Sequence, residues 1–156
     1  MIGSILDAIS LIAALAILSG CYQKSEREKQ IEGVNMSLYQ MQFVEACIQE
    51  ADRTNKNADL ATLIADAMRK NGRDAFKCRA DSNLWIMINP NYHPEIQNEA
   101  KKDIVIMYTP IRFVDTTKTN SGFYVGMLRE GEQTNLDSVP PWLPIDISKI
   151  NFRHQP

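Results

Sequence analysis

Thiols are the most reactive side chains here, and the chain contains three cysteines, Cys21, Cys47 and Cys78. Cys21 directly follows a long apolar run, whereas Cys47 and Cys78 lie further along the chain. An exported domain is free to pair these two. The bridge would close a loop of about 30 residues and stabilise the folded state by ~3 kcal/mol, because it restricts the unfolded chain. The alternative is that Cys47 is an ordinary buried thiol on a helix face. No Cys-x-x-Cys pair occurs, so neither a zinc ribbon nor a thioredoxin-type site is predicted.

The other titratable residues do not form a recognisable catalytic set. His93 and His154 are too few and too poorly partnered for a metal site, and we interpret both as solvated surface residues. Asp81 and Glu95 flank the region around Trp85, but nothing in their spacing requires an acid/base pair. Since phosphate-binding loops, nucleophile elbows and zinc-protease motifs are also missing from the sequence, we predict no enzyme, no metal and no cofactor.

A proline-rich run near the C-terminus is the candidate contact surface for a protein partner. Proline fixes the backbone there in an extended form, and a rigid segment that bears an aromatic ring loses little entropy on binding. The alternative is that the tryptophan packs on its own sheet and holds the tail. The candidate contact residues are Pro140, Pro141, Trp142 and Leu143.

The N-terminal segment predicts where the chain resides. Residues 2–20 are almost wholly apolar, with Asp7 as the one charge, and about 20 apolar residues are needed to cross a bilayer as a helix. The core of this run has no polar face to present to water. Three interpretations are open: a cleaved signal peptide, a permanent membrane anchor, and a buried helix of a soluble core.

The end of this run, Leu18-Ser19-Gly20-Cys21, resembles the lipobox of bacterial lipoproteins, in which a small residue precedes the cysteine. The resemblance covers the first 21 residues only. It implies that Cys21 is the lipidation site and that the bond between Gly20 and Cys21 is cleaved. It also implies a domain anchored by lipid to the cell membrane or outer membrane and facing the periplasm.

The permanent anchor implies a different location. Lys24, Arg27 and Lys29 follow the apolar run, and basic residues favour the cytoplasmic side of a membrane. The order of an apolar helix with an early carboxylate, an amphipathic helix and a small sheet is also similar to type IV pilins and pseudopilins. This alternative is a single-pass inner-membrane protein, a structural subunit of a secretion, pilus-like or phage-derived assembly.

Periodicity divides the chain into three parts: residues 1–21 as signal or anchor, 22–35 as a polar tether ended by Gly33 and Asn35, and 36–156 as a single domain. Apolar residues at spacings of three and four predict helices over 36–50 and 58–71. The first has a broad apolar face, so we expect packing on two sides. Asn57 is the expected N-cap of the second, and Gly72 its C-terminal stop.

The sequence pattern predicts strands in the rest of the domain. They are expected over residues 84–88, 103–109, 111–114 and 123–128, with an edge strand in 145–152. Pro110 is expected to interrupt the chain between the second and third of these. Gly126 marks a bulge or a close approach. The predicted fold class is α+β: a membrane-inserting helix, then two amphipathic helices packed on a small antiparallel sheet.

The net charge limits the classes of molecule that the chain is expected to bind. The net charge is −2 over 156 residues, whereas nucleic-acid binding normally requires a basic face. We therefore expect a non-enzymatic envelope lipoprotein that binds or positions a protein partner and does not bind nucleic acid. An enzyme whose site is assembled from scattered residues is the remaining alternative, and a polar cleft with a shifted carboxylate would support it.

Overall fold

The computed structural model describes residues 24–94, 104–115 and 121–150. Two helices, α1 (Glu26–Thr54) and α2 (Leu60–Asn71), pack on a four-stranded antiparallel sheet. The predicted arrangement of two helices on a small antiparallel sheet is confirmed. Over the described ranges no helix is both long and apolar enough to cross a bilayer. The predicted membrane segment, with Gly20 and Cys21, lies outside these residues.

Helix α1 begins with a reciprocal cap at Ser25. The Glu28 amide donates to Ser25 Oγ at 3.2 Å, and the Ser25 amide donates to Glu28 Oε2 at 2.7 Å. This capping box satisfies two amide groups that a helix start leaves without partners. Because the helix contains 29 residues, it is about 43 Å long.

The chain is helical from Glu26 onward, and α1 continues through Gly33 and Asn35, where the sequence predicted that the polar segment would end. A Cβ added at Gly33 would lie 2.9 Å from Cε1 of Phe113. Gly33 therefore lies where the helix approaches the Phe113 side chain of the sheet closely, which is why a small residue is found there without ending the helix. Ser37 Oγ also donates to the Gly33 carbonyl, at 2.9 Å.

Helix α2 closely follows its prediction. Asp59 is its N-cap and accepts a hydrogen bond from the Thr62 amide at 2.7 Å. The expected cap, Asn57, is instead in the left-handed region with φ 73°, so it belongs to the preceding turn. Gly72 has φ 86° and ends the helix as predicted.

The sheet is a meander in the order β1 (Met87–Ile88), β2 (Val105–Val114), β3 (Gly122–Leu128) and β4 (Gln133–Leu136). The predicted interruption at Pro110 is wrong, because β2 continues through it. The register with β3 shifts between Tyr108 and Arg112, and this irregularity accommodates a residue that has no amide hydrogen. Strand β4 was not predicted.

The predicted C-terminal edge strand over residues 145–152 is also wrong for the residues that the structure describes. Ile147–Lys149 form a short 3-10 helix, and residues 151–152 lie outside the description. The Ile145 amide donates to the Ile88 carbonyl at 3.1 Å, so the chain contacts β1 briefly and then turns away. A second 3-10 helix, Arg73–Phe76, follows α2.

The two faces of the sheet are covered differently. Met107, Val125 and Met127 join the core formed with the two helices. Tyr108 follows Met107 in β2, and neighbouring strand residues point to opposite faces. Its ring packs against Tyr124, with centroids 6.5 Å apart, on what we call the outer face of the sheet. The helices cover the inner face only.

Candidate functional site

An exposed apolar stripe runs along α1. Ile31, Tyr39 and Phe43 are 51%, 68% and 48% exposed, and they belong to one row of residues spaced by four, which is inclined to the axis and winds round the helix. Met41 on the same helix is fully buried. Tyr39 and Phe43 each lie two residues from Met41, which places them across the helix from the core. Helix α1 packs against both α2 and the sheet, as expected, but Tyr39 and Phe43 of its broad apolar face are exposed to solvent.

A groove of about 350 Å³ lies beside this stripe. Its form depends on Gln40, which is buried and links α1 to the segment after α2. Gln40 Nε2 donates to the carbonyls of Ala75 and Lys77, and its Oε1 accepts from the Arg79 amide at 2.7 Å. The groove is lined by Tyr39, Gln40, Phe43, Asp74, Ala75 and Arg79.

The proline-rich run, residues 139–144, forms an arm on the outer face of the sheet. The ring of Trp142 meets Tyr108 edge to face, with centroids 5.4 Å apart and an angle of 67° between the planes. Trp142 thus packs on its own sheet, as the alternative interpretation of this run expected. Leu143 is 86% exposed, and Pro141 is also exposed while Pro140 is half-buried.

A buried carboxylate lies elsewhere in the domain. Glu45 Oε1 accepts from Tyr92 Oη at 3.3 Å and from Gln49 Nε2 at 3.2 Å. Burial raises the pKa of Glu45, although both hydrogen bonds and the charge of Arg129 act to lower it. Burial also raises the pKa of Tyr92.

A polar cavity of about 480 Å³ lies next to this pair, and Tyr92, His93 and Arg129 are among its lining residues. Glu45 is not among the described lining residues, whereas Tyr92, which donates to Glu45, is. Arg129 Nη2 donates to the His93 carbonyl at 2.8 Å. We interpret the Glu45 and Tyr92 pair as a structural link between α1 and the chain after β1.

The two cysteines proposed as a bridge are free thiols, and both are buried in the one core. Burial raises the pKa of Cys47, and burial followed by the charge of Asp81 raises the pKa of Cys78 to about 12. Thiols in such surroundings are poor nucleophiles. The structure therefore has ordinary buried thiols and not the disulfide.

The remaining predicted residues are not brought together. Asp81 Oδ1 accepts from the Asn83 amide at 3.0 Å in a turn, and His93 is exposed. Glu95 and His154 lie outside the described residues. In the part of the chain that the structure describes, no three histidine, cysteine or acidic residues form a group that could hold a metal ion.

Tyr39 and Phe43 are the functional candidates that the sequence analysis missed. Their signal was the width of the apolar face in residues 36–50, which was assigned entirely to the core. Comparisons with protein-family models, curated proteins and solved structures found no match to this chain.

Proposed function

We propose that this chain is a non-enzymatic lipoprotein of the bacterial envelope that binds or positions a protein partner. Residues 1–21 would direct the chain to the membrane, with cleavage between Gly20 and Cys21 and lipid on Cys21. The observation that carries the binding role is the exposed apolar stripe of α1. A stripe of this kind on a helix is typical of surfaces that dock a partner.

The start of α1 supports a lipid tether. The capping box at Ser25 begins a new helix only four residues after Cys21, which leaves a short linker between the lipid and the domain. Residues 24–29 are all exposed. The first turns of α1 would then act as a rigid spacer, at ~1.5 Å per residue, between the bilayer and the folded domain.

The tether is tested on the mature N-terminus. Mass spectrometry should find a chain that begins at acylated Cys21, and Cys21→Ala should remove the gel shift that a lipoprotein signal peptidase inhibitor produces in the parent. An unmodified chain that begins at Met1 contradicts lipidation. This measurement is independent of the binding role.

The binding role is tested by a photo-crosslinking residue in place of Tyr39 in the full chain at its membrane. We expect a defined cross-linked protein product. The matched control places the same residue at Ala61, which is exposed on α2 and outside the stripe. Equal products from both positions, or none from Tyr39, would reject the stripe as a binding surface.

A second candidate is the single-pass membrane protein with a cytosolic domain, acting as a structural subunit of an assembly. The free state of Cys47 and Cys78 favours it, because cytosolic thiols stay reduced. Labelling of thiols after denaturation without reductant tests this candidate. Reaction of both residues agrees with a cytosolic domain, and a label that appears only after reduction indicates export and rejects the candidate.

A further inference from the structure

The start of α1 is held close to a bilayer by the length of the chain that precedes it. In both candidate functions the membrane attachment ends at about Cys21, as lipid on this residue or as a spanning segment before it. Glu26 begins α1 five residues after Cys21, and an extended chain spans at most about 3.6 Å per residue, or about 18 Å here. The first turns of α1 are therefore held beside the lipid, whatever the tilt of the rest of the domain.

Two exposed aliphatic side chains lie at this end of the domain. Ile31 on α1 is 51% exposed, and Val114, the last residue of β2, is 55% exposed. Both line one surface cavity of about 340 Å³, together with half-buried Val34 and Phe123. Because the four residues come from the helix and from two strands but border one cavity, they form one continuous apolar surface. We call these four residues the end patch.

The described charges at this end of the domain balance. Lys24 Nζ lies 2.7 Å from Glu32 Oε2, and Lys29 Nζ lies 2.7 Å from Glu26 Oε1. Basic and acidic side chains are equal in number in the first turns of α1 and at the end of β2: Lys24, Arg27, Lys29 and Arg112 against Glu26, Glu28, Glu32 and Asp115. Attraction to anionic lipid needs an excess of basic residues. A contact of this end with a bilayer therefore depends on the apolar side chains.

We propose that the end patch inserts its exposed side chains into the interface of the bilayer to which the chain is attached. The attachment makes this contact intramolecular, so the effective concentration is high and a small apolar area is sufficient. Ile31 is then covered by lipid, whereas Tyr39 and Phe43 lie about 12 and 18 Å further along α1 and stay open to a protein partner. The inference rests on the membrane attachment in the proposed function and names lipid as the ligand of one end of the domain.

Quenching of a dye by lipid tests this contact. The full chain is expressed with Ile31→Cys or Val114→Cys, purified from its membrane, labelled with a nitrobenzoxadiazole dye and reconstituted in phosphatidylcholine vesicles. Lipid that carries a nitroxide on its acyl chain should lower the emission about twofold at both positions, as expected for side chains at the acyl boundary. Ala61→Cys is the matched control. Ala61 is exposed on α2, which begins after the far end of α1, so its dye should not be quenched. The labelled parent reports any background from its own cysteines.

A charge placed in the end patch provides a second test. Ile31→Asp should remove most of the quenching at Val114→Cys, whereas Tyr39→Asp on the same helix should leave it unchanged. Circular dichroism checks that both variants are folded. Equal losses in the two variants overturn the inference.

The outcomes also separate this inference from the proposed function. A chain that floats with the vesicles but shows no quenching at the end patch, or equal quenching at Ala61→Cys, overturns the inference and leaves the membrane attachment in place. Blue-shifted emission without quenching overturns it as well, because the patch is then covered by protein. A chain that does not float with the vesicles contradicts the attachment itself.

Discussion

Glu45 shows how one buried carboxyl makes stability depend on pH. Its pKa is raised by burial, so the folded state holds this proton more tightly than the unfolded state does. The stabilisation is complete below the unfolded pKa and is lost as pH rises through the folded one. Glu45→Gln should therefore gain stability relative to the parent as pH rises from the ordinary carboxyl pKa through the raised folded pKa. Urea unfolding of the full chain in mild detergent measures this difference.

Glu50 on the same helix provides a control of opposite sign. A hydrogen bond and the charge of Lys70, which lies 2.6 Å away, lower the pKa of Glu50. Its contribution is present above the unfolded pKa and is lost as pH falls through the folded value. Glu50→Gln should thus lose stability relative to the parent as pH rises. A parallel response of the two variants would contradict the burial argument for Glu45.

At the scale of elements, the sequence predicted periodic segments well and their boundaries poorly. Helix α2 was found because its apolar residues repeat on one face and Gly72 ends it. The predicted start of helix α1 lies ten residues after the observed one, because Gly33 and Asn35 are typical of helix ends. The close approach of Phe113 to Gly33 is visible only in the folded chain. The interruption predicted at Pro110 is wrong for the same reason, because the register shift that accommodates this residue involves two strands and is a tertiary feature.

Gly126 in β3 is a prediction of the sequence that the structure confirms as a close approach. A Cβ added there would lie 2.9 Å from Leu136 Cδ1 on β4. Gly126→Ala should cost about 1 kcal/mol, because Leu136 must move out of a packed position. In a Leu136→Ala background most of this cost should disappear. A double-mutant cycle of unfolding free energies measures the coupling, and equal costs in both backgrounds would refute it.

At the scale of the whole molecule, the candidate surfaces depend on which faces the fold leaves uncovered. Hydrophobic spacing places Tyr39 and Phe43 on a helix but cannot show that α2 and the sheet, which both pack on this helix, leave these two side chains uncovered. The arm was recognised from its composition, yet the division of its residues between packing and exposure comes from the position of Tyr108. Sequence patterns identify apolar faces, whereas the assembled layers decide which of them remain open.

In the arm, one residue packs on the sheet and the next is exposed to solvent, and this difference gives a prediction for the stability of the whole domain. Trp142→Ala should cost about 2 kcal/mol, because it removes a half-buried ring that packs edge to face on Tyr108. Leu143→Ala should change stability by less than about 0.5 kcal/mol, since that side chain is exposed. Unfolding of the full chain in detergent, followed by circular dichroism, compares the two. If Leu143→Ala were the more destabilising variant, the arm would be held through Leu143 and not through Trp142.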